Sequence, residues 1–275
     1  MKKLVFLIFL FAETLHAQPL TVITYNIRYD NPDDGDDAWE VRKSWLANQI
    51  RFYEPDVLGI QEGLHQQVVY LHSELTQYDY TGVGRDDGKE KGEYSAIFYN
   101  KTKLDLLKSG TFWLSKTPEK PSKGWDANIV RICTYALFQN KSSKKIFFVF
   151  NTHFDHKGTE ARKNSALLII EKINQLNTLN YPVILMGDFN AQPDDEPVKI
   201  IKETMKDTRD VSIAPPFGPE GTANGFEFDK PVTKRIDYIF TKGKISVSKY
   251  AILSDSKNLH YPSDHLPVYS QITID

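Results

Sequence analysis

The sequence has a single cysteine among 275 residues and no surplus of positive charge. One cysteine, Cys133, excludes an internal disulfide bond, so the stability of the fold has to come from its core. Cys133 lies in an apolar run, which predicts a buried, unreactive thiol. The formal net charge is −2, whereas proteins that bind long nucleic acid usually carry an excess of basic residues. The net charge still allows a local basic patch.

The N-terminal end differs in composition from the rest of the chain. A basic tip at residues 1–3 precedes the almost wholly apolar residues 4–12, and Ala17 supplies a small residue. This pattern predicts a signal peptide over residues 1–17 and an exported protein, in the periplasm or the medium. The apolar run is shorter than the ~20 residues that span a bilayer, so no stable membrane anchor is expected; an uncleaved anchor is the alternative. Residues 18–275 are predicted to form a single domain.

Short apolar runs rich in β-branched and aromatic residues alternate with helical patterns along the predicted domain. The predicted strands are residues 20–27, 57–61, 95–100, 131–139, 145–152, 182–186, 235–241, 246–253 and 266–274. The predicted helices are residues 41–53, 64–75, 159–177 and 198–205. Many strands with interspersed helices predict a layered, mixed α/β protein.

Polar residues able to do chemistry cluster where the apolar strands stop. Functional sites are usually built at such strand ends. Asp188 and Asn190 follow one of the most apolar strands and, two residues apart, can face the same way in extended chain. The carboxylate can orient or deprotonate a water, and the amide can donate to a phosphate oxygen. A polar turn is the structural alternative, and Gly187 lets the backbone turn there or approach a ligand closely.

Glu62 comes directly after a buried strand, where a carboxylate is costly unless it is paired or binds a cation. Carboxylates with water and phosphate oxygens are what Mg²⁺ prefers, so Glu62 is a candidate metal ligand. A carboxylate beside the dipole of the following helix is the alternative. His153 can hydrogen-bond to a phosphoryl or leaving oxygen, or be a satisfied core histidine. Its spacing places Asp155 on the same face and leaves His156 without a partner.

Near the C-terminal end, Asp264 and His265 are consecutive, so their side chains diverge and form no triad contact. In a site, one of them can contact a metal or a water while the other reaches a phosphate. Arg235 and Asp237 alternate with apolar residues. This predicts a lined cavity or a buried ion pair, or, for Arg235, an ordinary two-faced strand.

Seven short motifs, in order along the whole predicted domain, resemble the endonuclease/exonuclease/phosphatase superfamily. They are Thr24-Tyr-Asn26, Gln61-Glu62, Glu93-Tyr-Ser-Ala-Ile, Asn151-Thr-His153, Gly187-Asp-Phe-Asn190, Arg235-Ile-Asp237-Tyr and Ser263-Asp-His265-Leu-Pro267. Gly-Asp-Phe-Asn alone is moderately specific, whereas the seven in order are highly specific. The resemblance implies a four-layer α/β sandwich, in which two mixed β-sheets pack face to face with helices on the outer faces.

The resemblance also implies a role for each matched residue. Asn26 and Glu62 match the ligands of a divalent metal, Mg²⁺ or Mn²⁺, and Asp264 completes or assists that cluster. Asp188 matches the carboxylate that orients the attacking water. Asn190 matches the amide that contacts the phosphate.

Two histidines, His153 and His265, match the pair at the scissile phosphate. Glu93 resembles the acid that hydrogen-bonds to His153 and orients it. Asp237 resembles the acid that supports His265 or the metal. Together these roles imply hydrolysis of a phosphoester, with at least one histidine protonated.

The substrate is less determined than the chemistry. The motifs resemble an exported bacterial subgroup, which implies a monoester or diester of a sugar phosphate, nucleotide, inositol phosphate or phospholipid headgroup. Arg131 and Trp125 are candidate substrate contacts, by charge and by stacking. The acidic residues 33–37 are expected to repel a long polyanion. A monomer acting on a small phosphorylated molecule is therefore expected, with a secreted nuclease and a catalytically silent binding protein as alternatives.

Overall fold

The protein is described by a computed structural model that covers residues 19–275, so the predicted signal peptide lies outside the described residues. The strands are Leu20–Asn26 (β1), Val57–Gln61 (β2), Tyr78–Thr81 (β3), Ile97–Asn100 (β4), Leu104–Trp113 (β5), Ile132–Asn140 (β6), Ile146–His153 (β7), Val183–Asp188 (β8), Lys206–Asp207 (β9), Asp237–Lys242 (β10), Ile245–Ile252 (β11) and Val268–Ile274 (β12). The helices are Trp39–Tyr53 (α1), His65–Glu74 (α2), Thr159–Leu176 (α3), Glu196–Lys202 (α4) and Thr208–Val211 (α5), with a 3-10 helix at Pro32–Asp37. Over residues 19–275, none of the helices has both the length and the apolarity to cross a membrane.

The strands form two six-stranded sheets. The first has the order β11-β12-β1-β2-β4-β3, and the second has the order β5-β6-β7-β8-β10-β9. β1 runs parallel to β2 and β7 runs parallel to β8, whereas the other paired strands are antiparallel. Both sheets are therefore mixed, as predicted.

The layers follow from the two faces of each strand. On β1, Val22 packs between the sheets, while Ile23 and Tyr25 pack on the other face against α1 and α2. β8 repeats the pattern, because Ile184 lies in the core between the sheets and Leu185 packs against the side of α3 and α4. Fully burying one such side chain contributes ~1.5–3 kcal/mol, so these three cores account for the packing order helix, sheet, sheet, helix. The predicted four-layer α/β sandwich is confirmed.

Three strands escaped prediction, β3, β5 and β9, and all three lie at sheet edges. On β5, every residue from Asp105 to Thr111 is partly or fully exposed. Its register also shifts between Leu106 and Lys108, which breaks the alternation of apolar residues. An edge strand carries a weaker hydrophobic pattern than a central one, because it buries less surface.

The inward-facing positions change from apolar to polar along the central strands. On β7, Phe147 and Val149 lie in the core between the sheets, and the next two inward positions are Asn151 and His153. The parallel neighbour β8 changes in the same way and ends at Asp188, directly opposite His153. The sandwich thus has an apolar interior and one polar edge, which holds Asn26, Gln61, His153, Asp188 and Asp237.

Candidate active site

The polar edge of the sandwich surrounds a cavity of about 390 Å³. Its lining residues are Arg28, Tyr29, Glu62, Glu93, Ile129, Arg131, His153, His156, Asp188, Asn190 and His265. Seven of these eleven were predicted site residues. Three further predicted residues, Asn26, Asp237 and Asp264, contact members of the lining from behind it.

Asp188 lies at the centre of the polar contacts and is 1% exposed. Its carboxylate accepts hydrogen bonds from Asn26 Nδ2 at 3.0 Å and from the backbone N–H of Asn190 at 2.8 Å. His153 Nε2 lies 3.4 Å from Asp188 Oδ2, and His265 Nε2 lies 3.9 Å from the same oxygen. The sequence places these residues on separate strands and loops, and the fold brings all of them to one carboxylate.

The pKa of Asp188 is raised to about 7, first by burial and then by the nearby Asp237 carboxylate, while His265 opposes the rise. A carboxyl group that exchanges its proton near neutral pH is suited to accept a proton from water. Both the raised pKa of Asp188 and its place in the cavity wall therefore fit the predicted water-orienting role.

The two histidines of the cavity are in opposite states. Burial opposes a charge on His265, but Asp237, 2.9 Å from its Nδ1, raises the pKa of His265 well above the usual value, so this ring is a cation. Burial, followed by the charge of Arg131, holds the pKa of His153 well below the usual value. The neutral His153 ring can accept at Nε2 from Asn190 Nδ2, 3.0 Å away. The cavity thus contains one imidazolium and one imidazole.

The amide of Asn26, one of the predicted metal ligands, joins two carboxylates of the site. Asn26 Nδ2 donates to Glu62 Oε1 at 2.9 Å and also to Asp188, and its Oδ1 accepts from the backbone N–H of Arg28 at 3.0 Å. Burial raises the pKa of Asp264, and the negative charge of Glu62 adds to this effect. Several carboxylates that disfavour one another's charge form a site suited to a divalent cation, so the donor set fits one.

A second grouping overlaps this set. Within residues 19–275, Asp188, Asp237 and His265 bring potential ligand atoms within 4.8 Å of one another. In this group Nδ1 of His265 is already hydrogen-bonded to Asp237 Oδ2 at 2.9 Å. Asn26 joins the two groups, because it donates to both Glu62 and Asp188. In addition, Asp237 Oδ1 is buried and has no hydrogen-bond partner among the described residues.

Glu93 lines the cavity, but its contacts differ from the expected ones. Its carboxylate accepts from Arg85 Nη1 at 2.6 Å, and Arg131 Nη1 lies 4.0 Å away. Over residues 19–275, His153 Nδ1 has no hydrogen-bond partner, so the expected hydrogen bond from Glu93 to His153 is not formed. Arg85 holds the carboxylate instead, and a catalytic role for Glu93 stays a prediction.

The two predicted substrate contacts lie in different places. Arg131 lines the cavity, with Nη2 3.3 Å from His156 Nδ1. Trp125 does not line it, because a turn closed by the Ala127 N–H and the Gly124 carbonyl holds Trp125 in a left-handed conformation with φ of 49°. The cavity wall near this loop is made by Ile129 instead. Substrate contact by Trp125 stays a prediction that the cavity does not support.

Arg42 on α1 was not predicted to serve the site, yet it holds several of its segments. Its guanidinium donates to the carbonyls of Ile27 at 2.6 Å, Arg28 at 2.8 Å, Asp37 at 2.9 Å and Pro262 at 3.2 Å. These carbonyls belong to the chain after β1, to the 3-10 helix and to the loop before Asp264. Arg42 is 2% exposed, so it ties these segments together as an internal, buried cation.

A signal for Arg42 was present in the sequence. Leu46 and Ile50, four and eight residues later, are buried on the same face of α1. An arginine in such an apolar stripe is rarely buried unless its donors are satisfied. A charge at a core position of a helix therefore indicated an internal hydrogen-bonding role.

Three residues that line the cavity have left-handed backbone conformations. They are Arg28, with φ of 55°, Glu62, with φ of 65°, and Asn190, with φ of 45°. Asparagine tolerates this region, but an arginine or a glutamate pays ~1–2 kcal/mol for it. The surrounding contacts hold Arg28 there, since its carbonyl accepts from both Arg42 and Gln67. Strained backbone held by its neighbours is typical of functional sites.

Gly187 allows two strands of the site to approach each other. Its φ is 145°, and a Cβ atom at this position would lie 2.0 Å from the carbonyl oxygen of Thr152 on β7. The sequence left open whether Gly187 serves a turn or a close approach, and the structure shows a close approach to strand β7. Without this approach, β7 and β8 could not place His153 and Asp188 side by side.

Asp155 shares the strand end with His153 but serves the structure. Its carboxylate accepts from four backbone N–H groups, those of Asn128 at 3.0 Å, Ile129 at 3.2 Å, Lys157 at 3.0 Å and Gly158 at 2.7 Å. Burial opposes the charge, yet these bonds lower the pKa of Asp155 to about 2. The carboxylate therefore joins the loop before β6 to the start of α3.

Replacing Asp155 by asparagine is expected to lower the free energy of unfolding by ~2 kcal/mol at pH 7. Because the folded pKa lies below the unfolded one, this stability is present above pH 4 and is lost as the pH falls toward 2. Urea unfolding at pH 7, 4 and 2.5 should show the two proteins converging at the lowest pH. Asp105→Asn, at an exposed pair with Lys141, is the matched control. A difference that stays constant with pH would contradict the role of the charge.

Comparisons with known proteins place the chain among relatives of the same fold. The profile of the Endonuclease/Exonuclease/phosphatase family matches residues 23–265. A solved structure of a protein of this family from Bacteroides thetaiotaomicron is 38% identical, with a TM-score of 0.91, over 94% of this chain and 99% of that chain. A mannosyl-6-phosphatase of the same species is 39% identical, with a TM-score of 0.89, over 92% and 99% of the two chains.

Curated relatives are more distant and longer. A CCR4-Not complex 3′-5′-exoribonuclease subunit of Mycosarcoma maydis is 22% identical over 94% of this chain and 51% of its own length. The chain spans about half to two thirds of the length of the first curated relatives that it matches. The profile match and the two bacterial structures show that the chain belongs to the endonuclease/exonuclease/phosphatase family, whose members are hydrolases acting on phosphoesters.

Proposed function

We propose that the chain is a divalent-metal-dependent phosphoesterase that hydrolyses a phosphomonoester or phosphodiester of a small organic molecule. One observation carries the proposal: carboxylates, an imidazolium and a neutral imidazole converge on Asp188 at a cavity of about 390 Å³. A cavity of this size is in the range of small-molecule sites. Its polar lining offers both negative groups for a cation and positive groups for a phosphate.

The Glu62 carboxylate and the Asn26 amide oxygen, with Asp264 completing the set, would hold Mg²⁺ or Mn²⁺. When bound, such an ion offsets charge on the phosphoryl oxygens and acts as a Lewis acid. The family is generally dependent on divalent metals, and the mutual repulsion of the carboxylates supports the same requirement here. Asn26 can contribute through its oxygen, which already accepts the backbone N–H of Arg28 but has a second lone pair.

The remaining steps are assigned to side chains of the chain itself. Asp188 orients a water for in-line attack on phosphorus and accepts its proton, since its pKa is about 7. His265, held as a cation by Asp237, donates from Nε2 to a phosphoryl oxygen that gains charge in the transition state. The Asn190 amide donates to Nε2 of the neutral His153 ring and fixes the orientation of that ring in the cavity wall.

A sugar phosphate is the substrate class that we favour. The chain is 39% identical to a mannosyl-6-phosphatase over nearly the whole of that protein. In addition, Arg28 in the cavity wall pairs with Asp34 at 2.8 Å, which holds the acidic 3-10 helix close to the cavity. Negative charge at that place disfavours a long polyanion, so a secreted nuclease is the second candidate and a silent binding protein the third.

The test is a substrate screen of the purified protein with Mg²⁺ or Mn²⁺. Hexose phosphates, nucleotides, inositol phosphates, phospholipids and plasmid DNA are assayed side by side, and EDTA is the control. Hydrolysis of sugar phosphates that stops with EDTA and returns with excess metal is the expected result. Cleavage of plasmid DNA without hydrolysis of small esters would favour the nuclease. No turnover of any substrate would overturn the proposed function.

Export and a monomeric state are further parts of the proposal. Both rest on the sequence alone. The ground for export is the basic tip and the apolar run within residues 1–17. Periplasm and medium are both compatible with that signal.

A further inference from the structure

The polar side chains of the second sheet form a row whose charge changes sign from one end to the other. His153 on β7 lies directly opposite Asp188 on β8, and Asp188 lies opposite Asp237 on β10. Arg131 immediately precedes β6, on the other side of His153. Since neighbouring strands lie ~4.8 Å apart, the positive and negative ends of this row are ~10–15 Å apart. The carboxylate end suits a cation, which leaves the Arg131 end for an anion.

Arg131 is held firmly at its end of the row. It is 5% exposed, and its Nη2 lies 3.3 Å from Nδ1 of His156 at the cavity rim. Nη1 lies 4.0 Å from Glu93 and Nε lies 3.8 Å from Asp155, both beyond hydrogen-bond distance. Among the described residues neither nitrogen has a hydrogen-bond partner, and Glu93 is already engaged by Arg85. Within residues 19–275, Nε and Nη1 are thus buried donors without partners, and the residue that carries them lines the cavity.

The number of terminal oxygens distinguishes the two kinds of phosphoester. A monoester has three non-bridging oxygens and carries nearly two negative charges near neutral pH, whereas a diester has two such oxygens and one charge. A divalent ion held at the carboxylate end of the row and Nε2 of His265 can each serve one oxygen. Arg131, on the far side of His153, is in place for a third.

We infer that Arg131, fixed by His156, binds the third non-bridging oxygen and makes this enzyme selective for phosphomonoesters over phosphodiesters. The inference rests on the proposed phosphoesterase function and adds the substrate class. A guanidinium suits the task because it presents several donors in a fixed plane and keeps its charge. In the competing interpretation, Arg131 is only a structural partner of Glu93 and Asp155, and its loss affects both ester classes alike.

The test compares p-nitrophenyl phosphate with bis(p-nitrophenyl) phosphate, which release the same leaving group. For Arg131→Gln, kcat/KM for the monoester is expected to fall about 30-fold or more, as for the loss of one charge-assisted hydrogen bond. For the diester, the fall is expected to stay within about 3-fold. Arg131→Lys keeps the charge and should lie between. Arg51→Gln, at an exposed pair with Glu74, is the matched control and should change neither value.

Binding provides a second readout that a structural role would not move. Inorganic phosphate should inhibit the unsubstituted protein more strongly than diethyl phosphate, and Arg131→Gln should remove most of that difference. An equal loss for both esters, or a preference of the unsubstituted protein for the diester, would overturn the inference and leave the proposed function intact. Failure to hydrolyse either ester or any screened substrate would overturn the proposed function itself. If Arg131→Gln does not fold, Arg131→Lys and the preference of the unsubstituted protein decide.

Discussion

Replacing Asp188 by asparagine is expected to lower kcat/KM at least about 10³-fold, the range for the loss of a proton acceptor together with a charge at the reacting centre. Asparagine keeps the shape of the side chain, and its one amide oxygen can accept either from Asn26 or from the Asn190 backbone N–H. It cannot take a proton from water. The measurement is steady-state hydrolysis of the best substrate from the screen, with Asp210→Asn, at an exposed pair with Lys202, as the control.

The same substitution should not weaken the fold. Because burial and Asp237 raise the pKa of Asp188 to about 7, its ionisation costs stability as the pH rises from about 4 through 7. Asparagine removes that cost, so in EDTA the Tm of the variant is expected to equal or exceed that of the unsubstituted protein at pH 8. A large drop in Tm would mean that Asp188 holds the structure, and the activity loss would then say little about chemistry.

Replacing His265 by glutamine is expected to lower kcat/KM by about 10²–10³-fold, because the phosphoryl oxygen loses a charged donor. The substitution should act mainly on kcat, since the contact strengthens as charge develops in the transition state. Steady-state kinetics at pH 7 measure both parameters. Loss confined to KM would contradict this assignment and make His265 a ground-state contact.

Asp237 provides the matching test through pH. Its carboxylate, 2.9 Å from Nδ1, raises the pKa of His265, so Asp237→Asn must lower that pKa. If activity needs the imidazolium, the activity of the variant should fall at a lower pH than that of the unsubstituted protein, whose His265 keeps its proton to higher pH. The pH profile of kcat/KM measures this shift. Profiles of the same shape for both proteins would show that the charge of His265 is not required.

The sequence predicted the central strands and helices well, because residues buried on both faces, such as those of β8, leave long apolar runs. It also predicted most of the cavity lining, since motifs at the ends of those strands reach the same edge once the strands pair. Edge strands were missed where exposure removes the pattern, as in β5. Backbone details could not be predicted either, including the approach of Gly187 to Thr152.

Partners within the site were harder to predict than its members. Glu93 was correctly expected near His153, but its pairing with Arg85 depends on a loop whose path no spacing rule gives. His156 gained a partner in Arg131 only because β6 and β7 are neighbours. Trp125 shows the opposite case, in which an aromatic residue with suitable chemistry lies on a turn and is not part of the cavity lining.

Arg42 links the cavity to the outer layer of the sandwich in a thermodynamic sense. Its four carbonyl contacts join α1 to the chain on both sides of the site, so α1 cannot open locally without releasing the segments that carry Arg28 and Asp264. A ligand that binds only the ordered cavity must therefore also oppose the opening of α1. Ligand binding at the active site and the local stability of α1 are therefore coupled, so that each can be measured through the other.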